Sequence, residues 1–267
     1  MKDKNYLIQN GVAVDTGIEL LGDIDMYNQI MAEFSKSYND RMANIKTYKE
    51  MSDMANYAVE VHSLKSDSKY LGFTTLANLA YNHEMASKAG DITSVNNHYN
   101  ELINEANRII AVVRTYLGSD SATNTIENTN VQVISPQEVN MATKAILVAD
   151  DSIIIRDFVK EIFSKDYELL MASNGQEVIN IVNSNPDKIA AVLLDLNMPV
   201  ISGFDVLEYF KENNLFTKIP VSIISGASDK ESIDKAFTYP VVDMLNKPFS
   251  KENVKFVVEK TIDYGNM

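Results

Sequence analysis

Cysteine is absent from the 267 residues, which excludes a disulfide scaffold and any thiolate metal site while leaving the compartment open. No apolar run reaches membrane-spanning length, and the opening MKDKNYLIQNG lacks the apolar core of a secretory signal. A soluble, cytoplasmic protein without a membrane partner is the expectation. Basic residues are in deficit. The formal net charge is −13, and acidic residues outnumber basic ones 16 to 11 over 1–120 and 19 to 13 over 144–267. Neither half carries the basic stripe that direct nucleic-acid binding requires. Proline is missing from 1–118, where glycine is confined to Gly11, Gly17, Gly22, Gly72, Gly90 and Gly118.

Without proline, and with glycines mostly where helices should start or stop, residues 1–118 read as helical. A long helix fits 24–47, with Ile24, Tyr27, Ile30, Met31, Phe34, Tyr38 and Met42 in three-and-four spacing. Others fit 50–70, 73–89 and 91–117, the last opened by the capping residue Asp91. Four long antiparallel helices with short connections make a bundle. Residues 119–143 are rich in Ser, Thr, Asn and Gln without periodicity and read as a flexible linker. Its apolar knot, Val131 to Ile134, is either a scattered patch or a segment that docks on a domain.

From 144 onward short apolar runs at 145–149, 168–172, 189–194, 220–224 and 241–245 alternate with helical segments near 152–164, 174–184, 203–213, 229–238 and 250–263. Five such repeats predict a parallel sheet covered on both faces. Polar residues end four of the runs: Asp150 and Asp151, Asp195, Ser225 and Lys247. In an open parallel sheet the strand C-termini converge on one crevice. Clustered carboxylates there suit a hard divalent cation such as Mg²⁺ or Mn²⁺, and a lone lysine beside them suits an arriving anion. A carboxylate can itself attack phosphorus, with metal and lysine neutralising the transferring group. Taken singly, each feature has an ordinary reading as a helix cap or a turn. Four of them at strand ends of one sheet do not.

Residues 144–264 resemble the receiver domains of response regulators, through Ile146-Leu-Val-Ala-Asp150-Asp151-Ser, Leu193-Leu-Asp195-Leu-Asn-Met-Pro199, Gly203-Phe-Asp205, Ile223-Ile-Ser225-Gly and Lys247-Pro-Phe249. The resemblance implies a doubly wound (βα)5, flavodoxin-like domain over 144–267 and Asp195 as phosphoacceptor. It also implies Asp150, Asp151, Asp195 and the Asn197 backbone carbonyl around the metal, Ser225 on the phosphoryl group, and Lys247 paired with it. Three residues before the lysine the family usually has an aromatic residue. Here it is Met244, which can fill the same space but puts the usual aromatic switch in question.

Of His62, His83 and His98, only His62 lies at the edge of a helical apolar stripe (Met51, Met54, Ala58, Val61, Leu64, Ser68, Leu71), with Lys65, Ser66 and Lys69 on its side. On helical geometry alone a lone histidine there is more often an ordinary surface residue. The run His62-Ser-Leu-Lys65-Ser66-Asp-Ser-Lys-Tyr-Leu-Gly72, with Leu21-Gly-Asp-Ile-Asp25 and Ala89-Gly-Asp91, resembles histidine phosphotransfer (HPt) domains. That resemblance implies a four-helix HPt bundle over 1–118, with His62 the phosphorylated residue and Lys65 assisting it. Asp67 stands where the signature has a small neutral residue; at i+5 it should point away from His62, with modest consequences. His83 and His98 match nothing in the signature and read as surface or boundary residues.

The leading reading is a two-component phosphorelay protein that exchanges a phosphoryl group between His62 and Asp195, in cis, in trans, or both. It is a signalling protein whose receiver catalyses its own phosphorylation and dephosphorylation rather than a metabolic enzyme. Expected partners are a histidine kinase and other receiver or HPt proteins, with a second copy of the chain in a phosphorylation-dependent dimer as a further candidate. A linker of this length spans roughly 25–30 Å, enough for intramolecular docking. The alternative is a phosphorylation-controlled interaction module in which only the receiver is active and the bundle is a scaffold. A Mg²⁺-dependent aspartyl phosphatase is disfavoured, because Asn197 stands where the common signature has its acid catalyst.

Overall fold

A computed structural model describes residues 2–118, 144–226 and 230–266. The expected linker at 119–143, with Val131 to Ile134, lies outside the described residues. Residues Lys4 to Leu117 are all helical: α1 (Lys4–Gln9), α2 (Val14–Leu21), α3 (Ile24–Glu50), α4 (Met54–Tyr70), α5 (Thr74–Lys88) and α6 (Ile92–Leu117). The four long helices fall where the periodicity predicts them; the short α1 and α2 are additions. Aspartate side chains cap α3, α4 and α6, with Asp23, Asp53 and Asp91 accepting from the amides of Met26, Asn56 and Ser94. Each long helix packs on two others: α3 on α4 and α6, and α5 on α4 and α6. Tyr27, Ile30, Met31, Phe34 and Tyr38 of the predicted stripe are buried, while Ile24 stays exposed at the helix start. Beyond α4, Gly72 has φ +74°, and a Cβ there would collide with the carbonyl of Ala13. Glycine is required at that turn on both counts.

Beyond residue 143 the chain forms a five-stranded parallel sheet in the order β2-β1-β3-β4-β5, with β1 (Ala145–Ala149), β2 (Glu168–Ala172), β3 (Ile189–Asp195), β4 (Val221–Gly226) and β5 (Met244–Lys247). Between and after the strands lie α7 (Ile153–Phe163), α8 (Gly175–Ser184), α9 (Gly203–Glu212), α10 (Lys230–Ala236) and α11 (Lys251–Gly265). This is the predicted doubly wound arrangement. Alternate residues of β1 serve two cores: Leu147 and Ala149 face a layer with Val178, Val206 and Phe210, while Ile146 and Val148 face one with Phe158 and Val258. The second core does not stop at the sheet's own helices. It runs on without a break into the apolar interior of α1 to α6, so the two halves are packed against each other.

Candidate functional site

The parallel register brings the ends of β1, β3, β4 and β5 to one edge. Ala149 pairs with Leu194, Asp195 with Ile224, and Gly226 with Lys247. Asp150 and Asp195 are buried there and Asp151 is half-buried. All three offer carboxylate oxygens within 4.8 Å of one another. Backbone amides hold two of them: the Ser152 N–H donates to Asp150 Oδ1 at 2.9 Å and the Asn197 N–H to Asp195 Oδ1 at 3.1 Å. Gly203 opens α9 directly against the Asp195 carbonyl, an approach that any Cβ would block.

Lys247 enters from β5 and pairs with Asp195 Oδ2 at 2.6 Å and Asp150 Oδ2 at 2.8 Å. Burial works against its charge, but Asp150 and Asp195 outweigh it and hold the ammonium well above its ordinary value. Burial, together with repulsion from Asp195 and Asp151, raises the Asp150 carboxyl against the pull of Lys247. One lysine thus faces three carboxylates, and Asp151 Oδ1 is buried without a hydrogen-bond partner among the described residues. An all-oxygen set with surplus negative charge and an unpartnered oxygen fits a hard divalent cation. Ser225 is fully buried at the end of β4, and among the described residues its hydroxyl makes only a long 3.5 Å contact with the Gly226 carbonyl. All the strand-end residues picked out in the sequence therefore meet at one place.

His62 lies on α4 and is 5% exposed, less open than its helical position predicts, because the α/β half covers it. Its Nδ1 is 2.7 Å from Glu84 Oε1 on α5. A carboxylate at that distance selects the tautomer with the proton on Nδ1 and leaves the Nε2 lone pair free. Lys65 Nζ sits 3.3 Å from the same Nδ1 and donates to Glu84 Oε2 at 2.6 Å; Lys88 reaches Glu84 Oε1 at 2.8 Å. Burial alone would raise the Glu84 carboxyl, but His62 and Lys65 overcome it and hold it well below the carboxylate range. Burial lowers Lys65, with Glu84 opposing. Lys69 is exposed and takes no part. Glu84 was not among the residues read from the sequence, since nothing in its local pattern marks it. Only the pairing of α4 with α5 brings it to His62.

The face of α4 around His62 is seated on the strand-end pocket. A cavity of about 250 Å³ is lined from one side by His62, Lys65 and Glu84 and from the other by Asn197 and Gly226. Ser63 Oγ donates to Asp151, and Asp67 Oδ1 accepts from Ser152 Oγ at 2.5 Å. Tyr70 Oη accepts from the Phe249 N–H at 3.0 Å, with its ring 5.5 Å from Phe249 and 6.2 Å from Phe158 between centroids. Gln29 of α3 reaches Glu161 of α7 at 2.7 Å.

Two expectations are corrected. Asp67 does point away from His62, but it is fully buried between the halves and paired with Arg41 at 3.0 Å, so its part is not a modest one. His83 is an interior residue, 2% exposed with its Nδ1 2.8 Å from the Tyr57 hydroxyl; its neighbours on α4 and α6, not its own spacing, bury it. His98 is exposed as expected. Met244 is half-buried against the outer core of the sheet.

Residues 146–259 match the family model described as response regulator receiver domain. Among curated proteins, the chain is 39% identical over 106 residues to Response regulator RR06 of Streptococcus pneumoniae serotype 2, covering 39% of this chain and 46% of that one. It is 30% identical over 116 residues to Chemotaxis protein CheY1 of Helicobacter pylori, covering 43% of this chain and 93% of that one. It is also 30% identical over 117 residues to Sensor histidine kinase TmoS of Ectopseudomonas mendocina, covering 44% of this chain but 12% of the kinase. The match thus spans less than half the length of RR06 and a small part of TmoS.

Proposed function

Because the chain belongs, through residues 146–259, to the response regulator receiver family, we propose that it is a phosphorelay protein in which Asp195 and His62 of the same chain exchange a phosphoryl group. The observation that carries this is the shared cavity: His62 lines it from α4, and Asn197 and Gly226 line it from the two strand ends beside Asp195. In this reading α3 to α6 are an HPt-type four-helix bundle over 1–118, joined by the segment 119–143 to a receiver over 144–267. Receiver domains bind Mg²⁺ in such an acidic pocket, and here Asp150, Asp151, Asp195 and the Asn197 carbonyl would hold it. Bound there, the cation supplies charge neutralisation for the transferring group.

The chain's own residues account for the remainder. Glu84 keeps the proton on Nδ1 of His62, so Nε2 carries the phosphoryl group. In transfer to the receiver, the P–Nε2 bond breaks as a P–O bond to an Asp195 carboxylate oxygen forms, and Nε2 recovers its lone pair. No proton has to move. Lys247 then follows the new negative charge from the Asp195 carboxylate to the phosphoryl oxygens, and the Ser225 hydroxyl, weakly held before, is free to donate to one of them. The burial of His62 and Asp195 limits the access of water, the competing acceptor. Kinases and other phosphotransfer proteins are the expected donors; that a sensor histidine kinase carries a similar segment supports this.

The test uses the full chain, Mg²⁺ and a small acyl-phosphate donor. Label should appear first as a hydroxylamine-sensitive acyl phosphate on Asp195. It should then appear as an acid-labile, alkali-stable phosphohistidine at His62, with a first-order rate independent of protein concentration. Asp195→Asn should abolish both signals and His62→Gln only the second. Label confined to Asp195 in the unaltered chain refutes the exchange and leaves the scaffold reading of the bundle.

A further inference from the structure

Asp67 carries a charge into the junction at a position where the phosphotransfer signature has a small neutral residue. It has no solvent exposure, and burial raises its carboxyl against the opposing effects of Arg41 and Ser152. Its two partners come from different halves of the molecule. Arg41 approaches from α3 at 3.0 Å, and the Ser152 hydroxyl donates from the start of α7 at 2.5 Å. The same hydroxyl accepts from the Ile155 N–H at 3.2 Å, so its single proton is committed to Asp67.

Ser63, Asp67 and Tyr70 lie at i, i+4 and i+7 on one face of α4, and each makes one hydrogen bond to the α/β half. Ser63 meets Asp151 and Tyr70 meets a backbone amide; any receiver with the same acidic pair offers the first, and any chain the second. The contact of Asp67 is different, because it depends on the side chain that follows the acidic pair. We propose that Asp67, held by Arg41, is a specificity determinant that selects as phosphoryl-exchange partner a receiver presenting a hydroxyl at that position, and so favours the chain's own receiver through Ser152. An apolar residue there would leave a buried carboxylate short of a donor, and an acidic one would repel it; either acts against the wrong partner. This rests on the reading of His62 as the phosphoryl carrier.

Ser152→Asp tests it in the full chain. Aspartate caps a helix as well as serine does, so α7 is retained, and loading of Asp195 by the small donor verifies that the receiver is intact. Exchange with His62 should slow by roughly 5- to 150-fold, the equivalent of losing a buried polar partner. The swap Asp67→Ser with Ser152→Asp restores a hydroxyl, a carboxylate and Arg41 in one cluster and should recover most of the rate. Wild-type speed in Ser152→Asp overturns the inference, as does slowing that the swap leaves uncorrected. Absence of any His62 label in the unaltered chain is a separate result: it refutes the exchange itself and removes this inference with it.

Discussion

His62 and Glu84 are joined across α4 and α5 by a 2.7 Å contact between Nδ1 and Oε1, and Glu84 is itself gripped by Lys65 and Lys88. The imidazole, which lines the cavity shared with the strand ends, is therefore held by a carboxylate that cannot swing away. Glu84→Gln keeps the shape but loses a charge-assisted bond, worth about 1.5–3 kcal/mol. The rate at which His62 gains label should fall about 10- to 100-fold, while Asp195 still loads normally from a small donor. Equal rates at His62 in the two proteins would assign Glu84 to packing alone.

The acidic pocket predicts a stability effect of metal. Three carboxylates against one lysine leave the folded site short of positive charge, and a ligand that binds only the folded form stabilises it in proportion to its occupancy. Millimolar Mg²⁺ should raise the unfolding midpoint of the full chain, and a chelator should reverse the shift. Asp151→Asn, which removes the carboxylate least engaged with Lys247, should largely abolish the metal response while leaving the metal-free midpoint close to that of wild type. Calorimetry in matched ionic strength separates this from general screening.

Much of this architecture was legible in advance because its signals are local. β1 and β3 are short buried apolar runs, and β1 and β2 begin and end at the predicted residues, whereas β5, whose sequence is half polar, lies at Met244–Lys247 rather than 241–245. Asp91 marks a helix start through its own side chain, and Gly72 marks a helix end through its φ. The strand-end residues follow from parallel topology, which aligns every strand C-terminus. Glu84, Asp67 and His83 escaped because burial of a polar side chain depends on which helix lies opposite. Twenty-two residues separate His62 from Glu84 and 85 separate Asp67 from Ser152, and no periodicity spans such distances. The short α1 and α2 escaped for another reason: helices of six and eight residues carry too few turns to show a period.

His83 should make the helical half acid-sensitive. Burial lowers its pKa from the ordinary value of 6.5, so the folded state resists a proton that the unfolded chain accepts. Above the unfolded value both states are neutral and nothing is lost. As pH falls through it, protons bind the unfolded state preferentially and stability declines. Urea unfolding between about pH 5 and 8 should show this loss in the wild type and a smaller one in His83→Gln. Parallel pH profiles would mean that the imidazole takes up its proton without penalty in the fold.

Tyr70 should matter to docking through its hydroxyl more than through its ring. The ring packs against Phe158 and Phe249, and Tyr70→Phe preserves that contact. The hydroxyl accepts from the Phe249 N–H at 3.0 Å in a buried setting, directly after the Lys247-Pro248 step that carries the lysine of the pocket. Removing it leaves a buried amide without an acceptor, at a cost of about 1–3 kcal/mol. Because that amide belongs to the α/β half and the tyrosine to α4, the loss falls on the contact between the halves. Tyr70→Phe should therefore raise hydrogen exchange at the start of α11 and in the docked face of α4 together, and slow exchange of label between Asp195 and His62 without slowing the loading of Asp195. A variant with unchanged protection on both sides would show that apolar packing alone holds the junction.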